Sequence, residues 1–194
     1  SRPQLAWQGE FTANFFLHRS EKLEQGKGVP GGPYTAAYAA VQLAADGKRQ
    51  LRASELLVSY LRQTRQKEGH WKIQTHRPPL EDSDFTATAL SLAALRLHVQ
   101  DADLERTGQV IRQAVHWLTL NPGSTTEDRV FRLLGIYWGS VDARRGAGTR
   151  WSRLFAARAT PGMDVEARKS FQQTVTRLLE QQHEDGGWSQ LEDG

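Results

Sequence analysis

Glu81, Asp82 and Asp84 stand within four residues of one another, directly ahead of the run Phe85-Thr86-Ala87. Two carboxyls held close repel each other's charge, so one keeps its proton to higher pH and can deliver it inside an apolar cavity. Asp82 and Asp84 are the candidate acid pair. The same residues allow a structural reading. A Ser or Asp immediately ahead of a helix accepts hydrogen bonds from the first orphan N–H groups, and Ser83 or Asp84 fits that role. Glu81 and Asp82 could also pair with Arg77.

Aromatic residues on the same helices, Tyr38, Phe85, Phe131, Tyr137 and Trp138, are candidates for lining a hydrocarbon cavity, where ring faces stabilise cations. Core packing accounts for aromatics at helical spacing more often than a ligand cavity does. Other chemistries lack their residues. The chain has no cysteine, which removes thiol nucleophiles, disulfides and thiolate zinc sites. Its six histidines (His18, His70, His76, His98, His116 and His183) form no His-Glu-x-x-His motif and no i, i+4 pair, so neither a metal nor a cofactor is expected. Gly26-x-Gly28-x-x-Gly31 spells a dinucleotide fingerprint, but no strand precedes it, and it is expected to be a loop.

Charge excludes little. There are 25 Lys+Arg against 22 Asp+Glu, a net charge of +3, with the two signs interleaved. The local cluster Arg144, Arg145, Arg150, Arg153 and Arg158 has no aromatic platform or nucleic-acid motif beside it, so it is expected to be a solvated face rather than a nucleic-acid site. No apolar run reaches the ~18 residues of a membrane span.

The elements that must position these residues are helical throughout, and no segment shows the sustained alternation of a strand. One class carries a single apolar stripe. In residues 52 to 67 it is formed by Ala53, Leu56, Leu57, Tyr60 and Leu61, and residues 104 to 119 and 166 to 182 repeat it. A second class is rich in small residues and apolar around most of its circumference: Tyr34 to Ala45, Asp84 to Leu97, and a third member over 125 to 139 entered through a capping box, Ser124-x-x-Glu127. Asp103 and Asp164 stand where N-caps belong. Residues 9 to 25 and 151 to 159 are expected to add shorter helices. The order inner, outer, inner, outer, inner, outer predicts an all-α array of helical hairpins, each needing neighbours to bury its faces. A helix and Gly/Pro-rich loop over 1–33 lead into hairpin repeats over 34–194.

Two outer helices end in related segments, Arg65-Gln-Lys-Glu-Gly69-His-Trp71 and Gln182-His-Glu-Asp185-Gly186-Gly-Trp188. A glycine past the helix lets the chain reverse, and the Trp can fold back to tie the helix end to the loop. The second segment resembles the QW repeat of terpenoid cyclases, the squalene-hopene cyclases and their toroidal relatives. The first differs in having Arg65 for Gln and Glu68 for Asp. Asp82-Ser83-Asp84-Phe85-Thr86-Ala87 is similar to the Asp-x-Asp-Asp-Thr-Ala segment of class II cyclases, with Phe85 in place of the last acid. The stretch from Tyr60 to Leu95, including His76-Arg77-Pro78-Pro79-Leu80-Glu81, resembles bacterial cyclase-like repeat proteins of unassigned activity.

The resemblance covers residues 34 to 194 and implies an α/α toroid segment. An open crescent or a truncated piece is expected, since another inner helix would follow Trp188 in that pattern. It further implies Asp84 as proton donor, and an isoprenoid or lipid ligand or a partner domain as what the protein meets. Three functions follow as expectations, with a non-catalytic binding or scaffold module first. A proton-initiated polyprenyl or triterpene cyclase is second. An (α/α)-barrel carbohydrate enzyme using Glu81 and Asp82 is third, and requires another carboxylate across the cavity.

Overall fold

A computed structural model describes residues 2–48, 51–78, 81–142 and 162–191, and it is all-helical over them. In chain order the helices are α1 (Arg2–Leu17), α2 (Ser20–Glu24), α3 (Gly32–Ala45), α4 (Arg52–Thr64), α5 (Asp84–His98), α6 (Leu104–Leu120), α7 (Thr126–Ser140) and α8 (Val165–Glu180). A 3₁₀ turn at Asp101–Asp103 leads into α6. Among the described residues there is no strand, and no helix is long and apolar enough to cross a membrane. The expected helix over 151–159 and the arginine cluster from Arg144 to Arg158 lie outside the described residues.

The small-residue helices α3, α5 and α7 pack side by side with α5 in the middle, while α4, α6 and α8 cover them from outside. Alanine dictates this placement. Short side chains let helix axes approach, and α5 is buried along almost its whole length, from Thr86 to His98 with only Arg96 partly exposed. Glycine does the same for α7. A Cβ added at Gly135 would lie 3.2 Å from Ala89 Cβ and 2.5 Å from Leu118 Cδ1, and one at Gly139 would lie 2.3 Å from Val115 Cγ2.

The inner helices run parallel. Near their N-termini, Thr86 Oγ1 donates to Glu127 Oε1 (2.6 Å), and towards their C-termini Arg96 donates to the Gly139 carbonyl. His98 Nε2 meets the Ala40 carbonyl at 2.7 Å, joining α5 to α3. Their N-termini, with the acids of the sequence motif, therefore gather at one end of the array.

Three local expectations are corrected. The expected helix over 9 to 25 divides into α1 and α2, and α1 starts earlier, with Pro3 in its first turn, where a missing N–H costs nothing. The capping box of α7 is Thr125 with Asp128, one residue beyond Ser124 and Glu127. Asp128 serves because its buried carboxylate can accept from Ser124 N (2.9 Å), Thr125 N (3.2 Å) and Ser83 Oγ (2.6 Å) together. Asp103 stands at the N-cap of α6 without a capping bond. Its carboxylate turns to Arg62 of α4 at 3.1 Å instead. Asp164 does cap α8, accepting from Ala167 N at 2.7 Å.

Candidate functional site

The N-cap of α5 is Ser83, whose hydroxyl oxygen accepts from Phe85 N (3.1 Å) and Thr86 N (3.3 Å). That leaves Asp84, the first helical residue, free to reach sideways. Its Oδ1 accepts the Ile73 N–H at 2.8 Å, and Oδ2 lies 3.7 Å from His70 Nε2. Ile73 and His70 belong to the segment around Trp71, so the carboxylate ties the start of α5 to the turn that follows α4. Asp82 faces the other way, onto His76 Nδ1, and both groups are largely exposed. Glu81, at φ +55°, pairs with Arg77 at 3.4 Å. The acids thus hold different partners, and among the described residues no hydrogen bond joins Asp82 to Asp84.

The aromatic candidates all lie on the inner helices, but they point to different neighbours. Phe85 rests on Trp117 of the outer helix α6, with ring centroids 4.9 Å apart, and the other contact of Trp117 is a stack on His70 at 4.5 Å. Burial of His70 pushes its pKa below the ordinary imidazole value, against the pull of Asp84 and Glu68, and favours the neutral ring. Tyr38 is 46 % exposed and meets Tyr34 edge-on at 4.9 Å. Burial, the hydrogen bond with Tyr38, and the nearby Glu81 and Glu127 carboxylates all raise the Tyr34 pKa. Phe131 and Tyr137 pack partly buried against the core, and Trp138 is buried near the far end of α7. Tyr38, Phe85 and Phe131 therefore belong to the N-terminal halves of the inner helices, and Trp138 does not.

The two Trp segments form the same turn twice. Trp71 Nε1 donates to the Leu61 carbonyl ten residues back, at 2.7 Å, and Trp188 Nε1 donates to the Leu178 carbonyl, also ten back and at 2.7 Å. The backbone bonds match as well: Gln66 N to His70 O (2.8 Å) beside His183 N to Gly187 O (2.9 Å), and Gly69 N to Gln66 O (3.0 Å) beside Gly186 N to His183 O (2.9 Å). Both turn glycines take positive φ, +110° at Gly69 and +87° at Gly186. Gln182 Nε2 adds a bond to the Gly186 carbonyl at 2.8 Å, and the Asp185 carboxylate accepts from Gly187 N at 2.8 Å. Arg65 and Glu68 stand in these two positions of the first turn, and Arg65 donates to its neighbour Gln66 instead.

At the shared end of the inner helices lies a cleft of about 360 Å³, lined by Pro78, Asp82, Ser83, Ser124, Thr125, Glu127, Asp128, Gln190 and Leu191. Hydrogen bonds organise its walls. Gln190 O accepts from Thr126 N (3.0 Å), and Gln190 Oε1 accepts from Glu127 N (3.2 Å), so the segment after Trp188 is laid across the start of α7. Burial opposes charge on Asp128, but the hydrogen bonds from Ser83, Ser124 and Thr125 outweigh it and hold the carboxyl below its usual range.

Sequence reasoning missed Asp128 and Arg132. Arg132 is buried in α7, and its guanidinium donates to the Leu118 (2.7 Å) and Thr119 (2.9 Å) carbonyls at the end of α6 and to Thr174 and Ser170 of α8. Among the described residues no carboxylate pairs with it. Its counter-charge is the carbonyl end of α6, where a cation is favoured. The available signal was Asp128, Arg132 and Ile136 sharing one i, i+4 stripe.

Comparison of the chain with known protein families, with curated proteins and with solved structures finds no match.

Proposed function

We propose that this chain is a non-catalytic α/α repeat module, a terpenoid-cyclase-like toroid segment, that holds a ligand or partner domain rather than turning over a substrate. The observation that carries this reading is the environment of Asp84. Its Oδ1 accepts the Ile73 N–H, and its Oδ2 faces a His70 that is itself stacked under Trp117. A carboxyl that donates a proton to a hydrocarbon must instead face a dry cavity large enough for the chain. The 360 Å³ cleft beside it is lined by Pro78 and Leu191 as well as by Asp82, Ser83, Glu127 and Asp128, and Asp84 is not among its lining residues.

The same residue separates this reading from the cyclase. With a structural Asp84, Asp84→Ala costs about 1–2 kcal/mol by stripping Ile73 N–H of its acceptor, and Asp84→Asn, which keeps an acceptor oxygen, costs little. Thermal melts of both variants beside product analysis of squalene incubations form the test. The expected result is a lowered melting point for Asp84→Ala and no cyclised product from any form. A polycyclic product from the unmutated protein that Asp84→Asn abolishes without loss of stability would overturn the reading.

A further inference from the structure

The two Trp turns are alike in their bonds and opposite in what covers them. Every residue number of the first advances by 117 in the second, 71 to 188 and 61 to 178. Around the first turn, α5 supplies Thr88, whose Oγ1 accepts from Trp71 N at 3.1 Å, and Trp71 is fully buried. The outer helix α6 presses on the glycine, so that a Cβ at Gly69 would stand 2.6 Å from the Gln113 carbonyl oxygen. Around the second turn no helix among the described residues takes either place. Trp188 is 45 % exposed, and the nearest group to a Cβ at Gly186 is the turn's own Gln182, 3.8 Å away.

The helix before each turn shows the same difference. Arg62 of α4 reaches Asp103 at 3.1 Å and Thr107 Oγ1 at 3.4 Å, beside the start of α6, and its side chain is only 15 % exposed. The residue 117 later is Leu179, apolar and 62 % exposed. Exposed Trp and Leu in adjoining turns form an apolar face of the kind that marks an interaction surface.

We infer that the face formed by Leu179 and Trp188 docks an inner/outer helical hairpin of the α5–α6 type. Its small-residue inner helix brings a Thr or Ser hydroxyl to the Trp188 peptide, and its outer helix lies over Gly186 and Leu179. The occupant is specified by the first turn of this same chain, whose covering helices fit the same bond pattern. The inference rests on that internal repetition and is independent of how the cleft or Asp84 is read.

The absence of cysteine makes the face directly measurable by thiol labelling. Leu179→Cys gives a reporter on the face, and Glu21→Cys, on the exposed side of α2, gives a control. Each variant is prepared as the full chain alone and with residues 78–120 appended directly after Gly194, which places the second copy of α5–α6 at the 117-residue spacing. Docking predicts that the appended hairpin slows maleimide labelling of Leu179→Cys by about 10-fold or more and leaves Glu21→Cys unchanged. It further predicts that Thr88→Val in the appended copy reduces that protection. Unchanged labelling of Leu179→Cys in the fusion overturns the inference, whether or not the helical signal rises. Sedimentation showing that the unextended chain already protects Leu179→Cys by dimerising would overturn it in favour of a second copy as the occupant.

Discussion

Gly69→Ala and Gly186→Ala make the same chemical change at matching points of two matching turns, so the difference between them isolates what the covering helix α6 contributes. Both glycines have left-handed φ, and placing Cβ there costs roughly 1–2 kcal/mol. Loss of unfolded-chain freedom returns about 0.4–1 kcal/mol. Gly186→Ala should stop there, at about 1 kcal/mol, because its new methyl meets only Gln182 Nε2 at 3.8 Å. At Gly69 the methyl would lie 2.6 Å from Gln113 O and 2.9 Å from Gln113 C, both in the backbone of α6, so the turn and the helix must separate. Overpacking of that kind adds about 1–3 kcal/mol. For a chain of 194 residues, 1 kcal/mol corresponds to about 2–4 °C in Tm. Thermal and urea melts followed by circular dichroism should therefore show Gly186→Ala down by about 2–4 °C and Gly69→Ala by about 4–16 °C, clearly the larger shift. Equal shifts would refute the argument that α6 closes on the first turn while no described helix closes on the second.

Ser83→Ala removes the cap of α5 and the hydroxyl that donates to Asp128, and should cost about 1–2 kcal/mol in urea unfolding. Arg132→Lys keeps the charge but cannot reach two carbonyls and two hydroxyls on two helices at once, and about 2 kcal/mol of stability should go with the fork geometry. His70 has a folded pKa below its ordinary value, so the unfolded chain takes up the proton first as pH falls through about 6.5. Stability on this account is full above that pH and declines below it. His70→Phe, which keeps a ring on Trp117, should flatten the fall in urea midpoint between about pH 7.5 and 5, and an unchanged slope would exclude His70 as its source.

What the sequence made legible was whatever depends on spacing along one helix. The stripes of α4, α6 and α8 and the small-residue character of α3, α5 and α7 are periodic signals, and the two-layer arrangement follows from them. Trp71 and Trp188 were readable as clasps because the turn is local: glycine, reversal, and an indole reaching ten residues back. Partners across elements were not readable. That Asp128 takes the box from Glu127 depends on Ser83, 45 residues away, offering its hydroxyl. That Asp84 bonds Ile73 rather than capping its own helix depends on where the turn after α4 delivers that N–H. Phe85 falls at helical spacing wherever α5 packs, and only the position of α6 decides that it meets Trp117.

These cross-element bonds bear on where the array can bind anything. At one end of the inner layer, α5 and α7 are joined by Thr86 to Glu127 and Ser83 to Asp128, and near the other by Arg96 to the Gly139 carbonyl. Between those ties, Gly135 stands against Ala89 and Leu118, and Gly139 against Leu92 and Val115, so closely that a single added methyl has no room at either position. Helices packed at that distance leave no seam for a hydrocarbon chain between them. The binding proposed above therefore falls outside the α5–α7 seam, at the ends of the inner helices or along the edges of the array. The cleft beside Asp82 is such an end, and the exposed Trp188 turn is such an edge. At the first turn the groups matching Trp188 and Gly186 are covered by α5 and α6, so the docking inferred above extends the packing of the array rather than opening its centre.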